Sequence, residues 1–265
     1  MLTRSEIAHE QSREATSTVV CEAPVEGDDP YWAFYAEVAS AQLASWLPAR
    51  RSRVLDVSGP RSPFARQVFA AGHQVIRVIP SLEDYTPPAA GPEGASLRHV
   101  VGDARALDWF APESFDAVLA EGRALSYSLA TEATIEDIHR MLRPGGRLLL
   151  CVDSLLLGLA RLAAQHRWAE LSDVPRADVV LVPAEDGTIT RAFWPEELRA
   201  LLTSAGLAVD WIRPRTVLGE EAVKRALASD VSCFPTLVRT EVELAAERED
   251  ASVGIHLVAS ARRRD

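Results

Sequence analysis

From Tyr31 onward, apolar positions along the chain follow two rhythms in turn. Trp32, Tyr35, Val38, Ala39, Gln42, Leu43 and Trp46 recur at three- and four-residue spacing up to Pro48, which predicts an amphipathic helix with one buried face. Next, "RVLDV" reads as a short buried strand. "SPFARQVFAAG" carries helix punctuation, with Ser62 as N-cap, Pro63 at the first helical position and Gly72 just past the end. The runs "HQVIRVI", "LRHVV" and "FDAVLA" predict strands two to four, each followed by turn or polar residues. Helical spacing returns in "TIEDIHRML", where Ile135, Ile138 and Leu142 share a face; "RPGG" stops that helix and "RLLLCV" supplies a fully apolar fifth strand.

Beyond the fifth strand the pattern changes. "ADVVLVPAEDGTITRAFW" predicts two short strands around an Asp-Gly turn, inserted ahead of "PEELRALLTSAGL", a helix marked by Pro195, an acidic first turn and Gly206. "AVDWIRP" and "GIHLVASARR" predict the last two strands as antiparallel neighbours, with "EAVKRALAS" between them; residues 230–253 receive no element. Strands alternate with helices, and the strands are almost continuously apolar. That combination predicts an α/β fold around a mainly parallel sheet, with helices on both faces.

A chain of 265 residues that is 48 % hydrophobic can build one sizeable core, so residues 28–265 are expected to form a single domain. Residues 1–27 are polar and aperiodic, and are expected as a flexible arm. A formal net charge of −10 offers no basic stripe and argues against nucleic acid or an anionic membrane as partner. Cys21, Cys151 and Cys233 are odd in number, widely spaced and without metal-ligand spacing, which suits a reducing compartment and no metal. The N-terminus has no signal-like apolar run, and "LLLCVDSLLLGLA" contains Asp153 in mid-chain, so a cytoplasmic location is expected.

Taken in order, "VLDV" with its turn and helix, "GDARALDWFAPESFDAVLAEG" and "IHRMLRPGGRLLL" resemble three segments of the class I S-adenosylmethionine-dependent methyltransferases. They correspond to the first motif, the strand-three-to-four region and the helix–turn–strand-five segment. "TRAFWPEELRALLTSAGLAV" is similar to the late substrate-side helix and strand of the small-molecule members. The resemblance implies a Rossmann-like, seven-stranded, mainly parallel sheet with the last strand antiparallel and helices on both faces. It also implies S-adenosylmethionine (SAM) as cofactor, bound outside the carboxyl ends of the strands, and a small-molecule substrate.

Carried onto this sequence, the resemblance assigns cofactor contacts to Asp56, Ser58 and Gly59 in the first turn, Ile79 at the ribose position, Asp103 and Ala104 at the adenine, and Glu121 past strand four. Two positions depart from the family pattern. The motif Asp-x-Gly-x-Gly-x-Gly becomes Asp56-Val57-Ser58-Gly59-Pro60-Arg61-Ser62, replacing each expected glycine, and Pro60 removes an amide donor. Ile79 stands where the family carries an acid for both ribose hydroxyls, and an alkyl group accepts no hydrogen bond. Glu83 and Asp84 either reach back to that position or solvate a loop, and Asp103 equally suits an Asx turn.

Methyl transfer is an in-line displacement that needs a base only when the acceptor is protonated. His166, at the end of the apolar helix after strand five, and Tyr127, just past strand four with Arg123 and Ser126, are the candidate catalytic residues. Tyr31, Tyr35 and Trp194 are the candidate substrate-binding aromatics, while His73, His99, His139 and His256 receive no role. Segments 28–48 and 155–194 have no place in a minimal seven-stranded sheet and are expected as lids. Two functions follow: a SAM-dependent methyltransferase acting on a small molecule, or a methyltransferase-fold protein that has lost methyl transfer and serves as a non-methylating enzyme or a binding or scaffold subunit. Ile79 and the glycine-poor turn favour the second.

Overall fold

Asp29 opens the first helix by accepting the Tyr31 amide at 2.9 Å, with Pro30 in the first turn, where a missing amide costs nothing. The structure, a computed structural model, describes residues 29–59, 62–88, 90–184 and 186–264; the arm expected over 1–27 and Cys21 lie outside the described residues. Helix α1 (Pro30–Trp46) buries Tyr31, Phe34, Val38, Ala39, Gln42, Leu43 and Trp46. Phe34 joins the predicted stripe, while Trp32 and Tyr35 are half-buried at its edge.

The chain continues through β1 (Arg53–Asp56), α2 (Phe64–Ala70), β2 (Gln74–Ile79), β3 (Ser96–Val101), β4 (Phe115–Ala120), α3 (Thr131–Met141) and β5 (Leu142–Ser154). Helices α4 (Leu155–Ala164) and α5 (Trp168–Asp173) lead to the hairpin β6 (Val180–Pro183) and β7 (Ile189–Phe193). Then come α6 (Pro195–Ser204), β8 (Leu207–Arg215), α7 (Glu220–Ser229), α8 (Phe234–Glu247) and β9 (His256–Arg263). Helix α2 begins one residue later than predicted: Pro63 is its cap, and the Ser62 hydroxyl accepts the Phe64 amide at 3.4 Å. The "RPGG" segment does not interrupt β5. Leu142 already pairs with Phe115, and the glycines are absorbed as a register shift before Arg147 meets Ala117, with Gly145 at φ 70°.

β1 pairs in parallel with β2 and β4, β2 with β3, and β4 with β5. β9 runs antiparallel between β5 and β8, giving the order β3-β2-β1-β4-β5-β9-β8 with only the last strand reversed. This is the predicted Rossmann-like sheet. The inserted hairpin also forms as expected, turning at Asp186 and Gly187, whose φ is 86°. It docks at the carboxyl end of β5, where Asp153 and Ser154 pair with Ala192 and Phe193.

One face of the sheet packs Leu55, Val118, Leu148 and Leu150 against Ile135 and Ile138 of α3 and Leu198 and Leu202 of α6. The other packs Val54, Val75, Leu119 and Leu149 against Leu43 and Trp46 of α1 and Ala65 and Val68 of α2. The N-terminal turns of α1 form a third cluster with Val223 and Leu227 of α7 and Val238 of α8. Among the described residues, no helix is long and apolar enough to cross a membrane.

Candidate functional site

Because β1, β3 and β4 run parallel, the residues that follow them emerge at one edge of the sheet. Asp56, Gly59, Asp103 and Glu121 therefore share that edge, where strand order reverses around β1 and β4. In the turn after β1, the Ser58 amide donates to Asp56 Oδ1 at 3.0 Å and Gly59 adopts φ 91°. Arg77 reaches over from β2 and donates through Nη2 to the carbonyls of Gly59 at 2.8 Å and Ser62 at 2.7 Å. Its Nε stands 3.6 Å from Asp56 Oδ2. An arginine thus holds the carbonyls of a turn that has few glycines. Burial raises the Asp56 carboxyl above its ordinary value, against the Ser58 hydrogen bonds and the Arg77 charge.

Ile79 has no exposed surface and closes β2 inside the core. Asp103 keeps its side chain 48 % exposed, but it is engaged: it accepts the Arg105 amide at 2.9 Å and pairs with that guanidinium at 2.8 Å. Hydrogen bonds from Arg105 hold its carboxyl below the usual value. Ala104 packs against the core. Trp109, which sequence reasoning missed, lies against Gly102, where a Cβ would approach its ring to 2.9 Å. It stacks on Phe110 with centroids 4.0 Å apart and stays exposed.

The strand-four end is filled by paired charges. Both Glu121 oxygens meet Arg215, at 2.6 and 2.9 Å, and Arg215 Nε donates to Gln42 of α1 at 2.7 Å. The Glu121 amide donates to Ser58 Oγ at 2.9 Å. Gly122 lies directly against the Ser58 backbone: a Cβ there would overlap the carbonyl oxygen and stand 2.6 Å from its carbon. Arg123 has left-handed backbone at φ 59°. Its side chain donates to Asp153 at 3.0 Å and to the Tyr127 hydroxyl, while Arg161 takes the other Asp153 oxygen at 2.8 Å. Burial alone would raise the Asp153 carboxyl, but His256, Arg123 and Arg161 outweigh it and hold the group far below the usual carboxylate range.

His256 Nδ1 shares a 2.7 Å hydrogen bond with the Tyr35 hydroxyl, and its Nε2 stands 3.5 Å from Asp153, too long or poorly aimed for a full hydrogen bond. Burial lowers the imidazole's affinity for a proton despite Asp153. It also pushes the Cys151 thiol, 3.9 Å from the Tyr35 hydroxyl, up to about 12.

Of the predicted substrate and catalytic residues, Tyr35 enters this cluster and Tyr127 borders it at 37 % exposure. The others stand apart. Tyr31 is core, packed with Phe34, Val223 and Val238, because its position faces α7 and α8. Trp194 is an exposed residue that caps α6. His166 lies exposed past the far end of α4 at φ 56°, beside Trp168, a helix-end position. Arg77, Asp153, Arg215 and His256 were missed. Their one signal in sequence is a charged or titratable residue inside or just beyond an apolar strand.

Residues 55–150 match the methyltransferase domain family. The matched stretch runs from β1 into β5 and contains Asp56, Asp103 and Glu121. Solved structures agree on the fold. A SAM-dependent methyltransferase from Methanosarcina mazei is 18 % identical, with 84 % of this chain and 97 % of that one covered and a TM-score of 0.55. The Burkholderia thailandensis 1,6-didemethyltoxoflavin-N1-methyltransferase, solved with 1,6-didemethyltoxoflavin and S-adenosylhomocysteine, is 19 % identical over 100 % and 92 % of the two chains, with a TM-score of 0.54. A Mesorhizobium loti SAM-dependent methyltransferase is 18 % identical over 85 % and 98 %, with a TM-score of 0.56. No curated protein matches the chain.

SAM is the cofactor that the resemblance implies, and the Burkholderia thailandensis structure holds S-adenosylhomocysteine. At the position the resemblance assigns to adenine, Asp103 is half-exposed and Trp109 lies against the neighbouring Gly102. At the ribose and methionyl ends the residues do not fit the cofactor as they stand. Ile79 has no surface to offer, Gly122 covers the Ser58 carbonyl, and Glu121 is spent on Arg215.

Proposed function

We propose that this chain is a SAM-dependent methyltransferase acting on a small molecule, with SAM admitted when the strand-four end moves away from the first turn. The observation that carries the reading is Asp103, an acid retained at the carboxyl end of β3 within the stretch that matches the methyltransferase domain. The formal charge of −10 supports a small-molecule acceptor over nucleic acid and is compatible with the cytoplasmic location we assign. Helix α1 and the segment 155–194 act as lids in this reading. α1 supplies Tyr35 and Gln42 to the buried cluster, and the β6–β7 hairpin docks where β5 ends.

A second reading, a methyltransferase-fold protein without methyl transfer, is favoured by one specific arrangement: Ile79 sealed in the core and Gly122 seated on Ser58. Calorimetric titration of the purified protein with SAM and with S-adenosylhomocysteine separates the two. Saturable binding of either ligand supports the first; a folded protein that binds neither at millimolar concentration sinks it.

A further inference from the structure

The contact that closes the cofactor edge depends on one residue having no side chain. Gly122 rests on the Ser58 backbone, the turn that the family uses to approach its cofactor, and any Cβ would be driven into that carbonyl. The contact is latched on both sides by pairs reaching to separate elements. Glu121 is tied to Arg215 at the end of β8, and Arg123 to Asp153 at the end of β5. Arg123 is also where the backbone turns left-handed, and immediately afterwards the Ser126 and Tyr127 amides fasten back onto its carbonyl at 2.9 and 3.2 Å. The chain from Leu125 is anchored in the core, while residues 121–123 are held by charge pairs, the glycine contact and the hydrogen bond from the Glu121 amide to Ser58 Oγ.

We propose that residues 121–123 are a gate over the methionyl end of the cofactor site, closed by Gly122 on Ser58 and latched by Glu121–Arg215 and Arg123–Asp153. This rests on the methyltransferase reading above. The closed form admits no ligand at this end, so apparent affinity equals the intrinsic affinity scaled by the open fraction. Each latch therefore weakens binding without touching the ligand. The exposed Asp103 end remains available while the gate is shut.

Gly122→Ala tests this, since the added methyl cannot coexist with the closed contact. Two measurements are made on wild type and variant: mass-spectrometric amide exchange of peptides spanning residues 118–126 without ligand, and calorimetric affinity for SAM and S-adenosylhomocysteine. The gate predicts faster exchange of the segment in Gly122→Ala and binding tighter than wild type by about tenfold or more. Faster exchange with wild-type affinity overturns the gate and leaves the proposed function standing. Unchanged exchange shows that the contact is not closed in solution and overturns the gate as well. Faster exchange with no binding by either protein overturns the proposed function, and the gate with it. Should Gly122→Ala fail to fold, Arg123→Gln, which removes the Arg123–Asp153 latch while Asp153 keeps its pair with Arg161, is read by the same measurements with the same expected directions.

Discussion

Arg215 carries a full charge where its side chain is 1 % exposed, and Glu121 opposite it is 0 % exposed. Two ions taken out of water are tolerable only while each compensates the other, and removing one partner typically costs about 3–5 kcal/mol. Glu121→Ala should therefore destabilise the fold by roughly that amount, more than deletion of an exposed pair such as Arg225–Glu221, and denaturant titration measures both. An equal effect from the two would mean that Glu121 and Arg215 are solvated. Position 79 follows the same physics from the other side. The resemblance puts an acid for the ribose hydroxyls at this position, but Ile79 is fully buried, so Ile79→Asp should cost about 3 kcal/mol or more through an unpaired buried carboxylate. Unchanged stability would show that the position opens onto the cleft. Positional reasoning placed Ser58, Asp103 and Glu121 at the right edge. It could not pair Glu121 with Arg215, since those residues lie 94 positions apart on different elements.

At the scale of elements, periodicity and helix punctuation exposed α1, α2, α3, α4, α6 and every strand of the sheet, but not α7, which buries only Val223 and Leu227. Helix α8 escaped because its stripe runs Val238, Glu241, Ala245, and the buried Glu241 breaks the apolar spacing. That carboxylate earns its place by accepting the amides of Val217 at 2.7 Å and Leu218 at 2.9 Å, ahead of α7, which no local pattern reveals. Helix α1 has the widest consequence, since it covers both the sheet and the α7–α8 pair. Burial of Phe34, Val38, Leu43 and Trp46 at about 1.5–3 kcal/mol each approaches the whole net stability of an ordinary domain. A chain starting at residue 48 should accordingly lose its cooperative thermal transition. A sharp melt within a few degrees of the full-length protein, followed by circular dichroism, would contradict the packing described for α1.

Over the whole molecule, two buried histidines, His73 and His256, and two half-buried ones, His99 and His139, contribute to the response to acid. His73, His99, His139 and His256 all bind protons less readily in the fold than in the unfolded chain, first because burial disfavours the imidazolium. For such groups the unfolded state holds more protons between the lowered folded value and the ordinary value of about 6.5, so unfolding free energy falls as pH falls through that window. The contribution is present in full above about 6.5 and declines below it. Asp153 acts lower on the scale: its carboxyl is depressed, so the stability it provides survives until the pH drops below the ordinary carboxylate value of about 3.9. Two separate acid transitions are thus expected. Of the four histidines, His256 is the one ringed by charge, with Asp153, Arg123 and Arg215 acting on it and Tyr35 on its other nitrogen. Asp153 favours its protonation and the two arginines oppose it. Denaturant midpoints compared between about pH 7.5 and 5.5 should fall for the wild type, and His256→Gln, which cannot take up a proton, should show a shallower fall. A variant that loses stability with pH as steeply as the wild type would place the acid response on the other three histidines and leave His256 a spectator within its cluster.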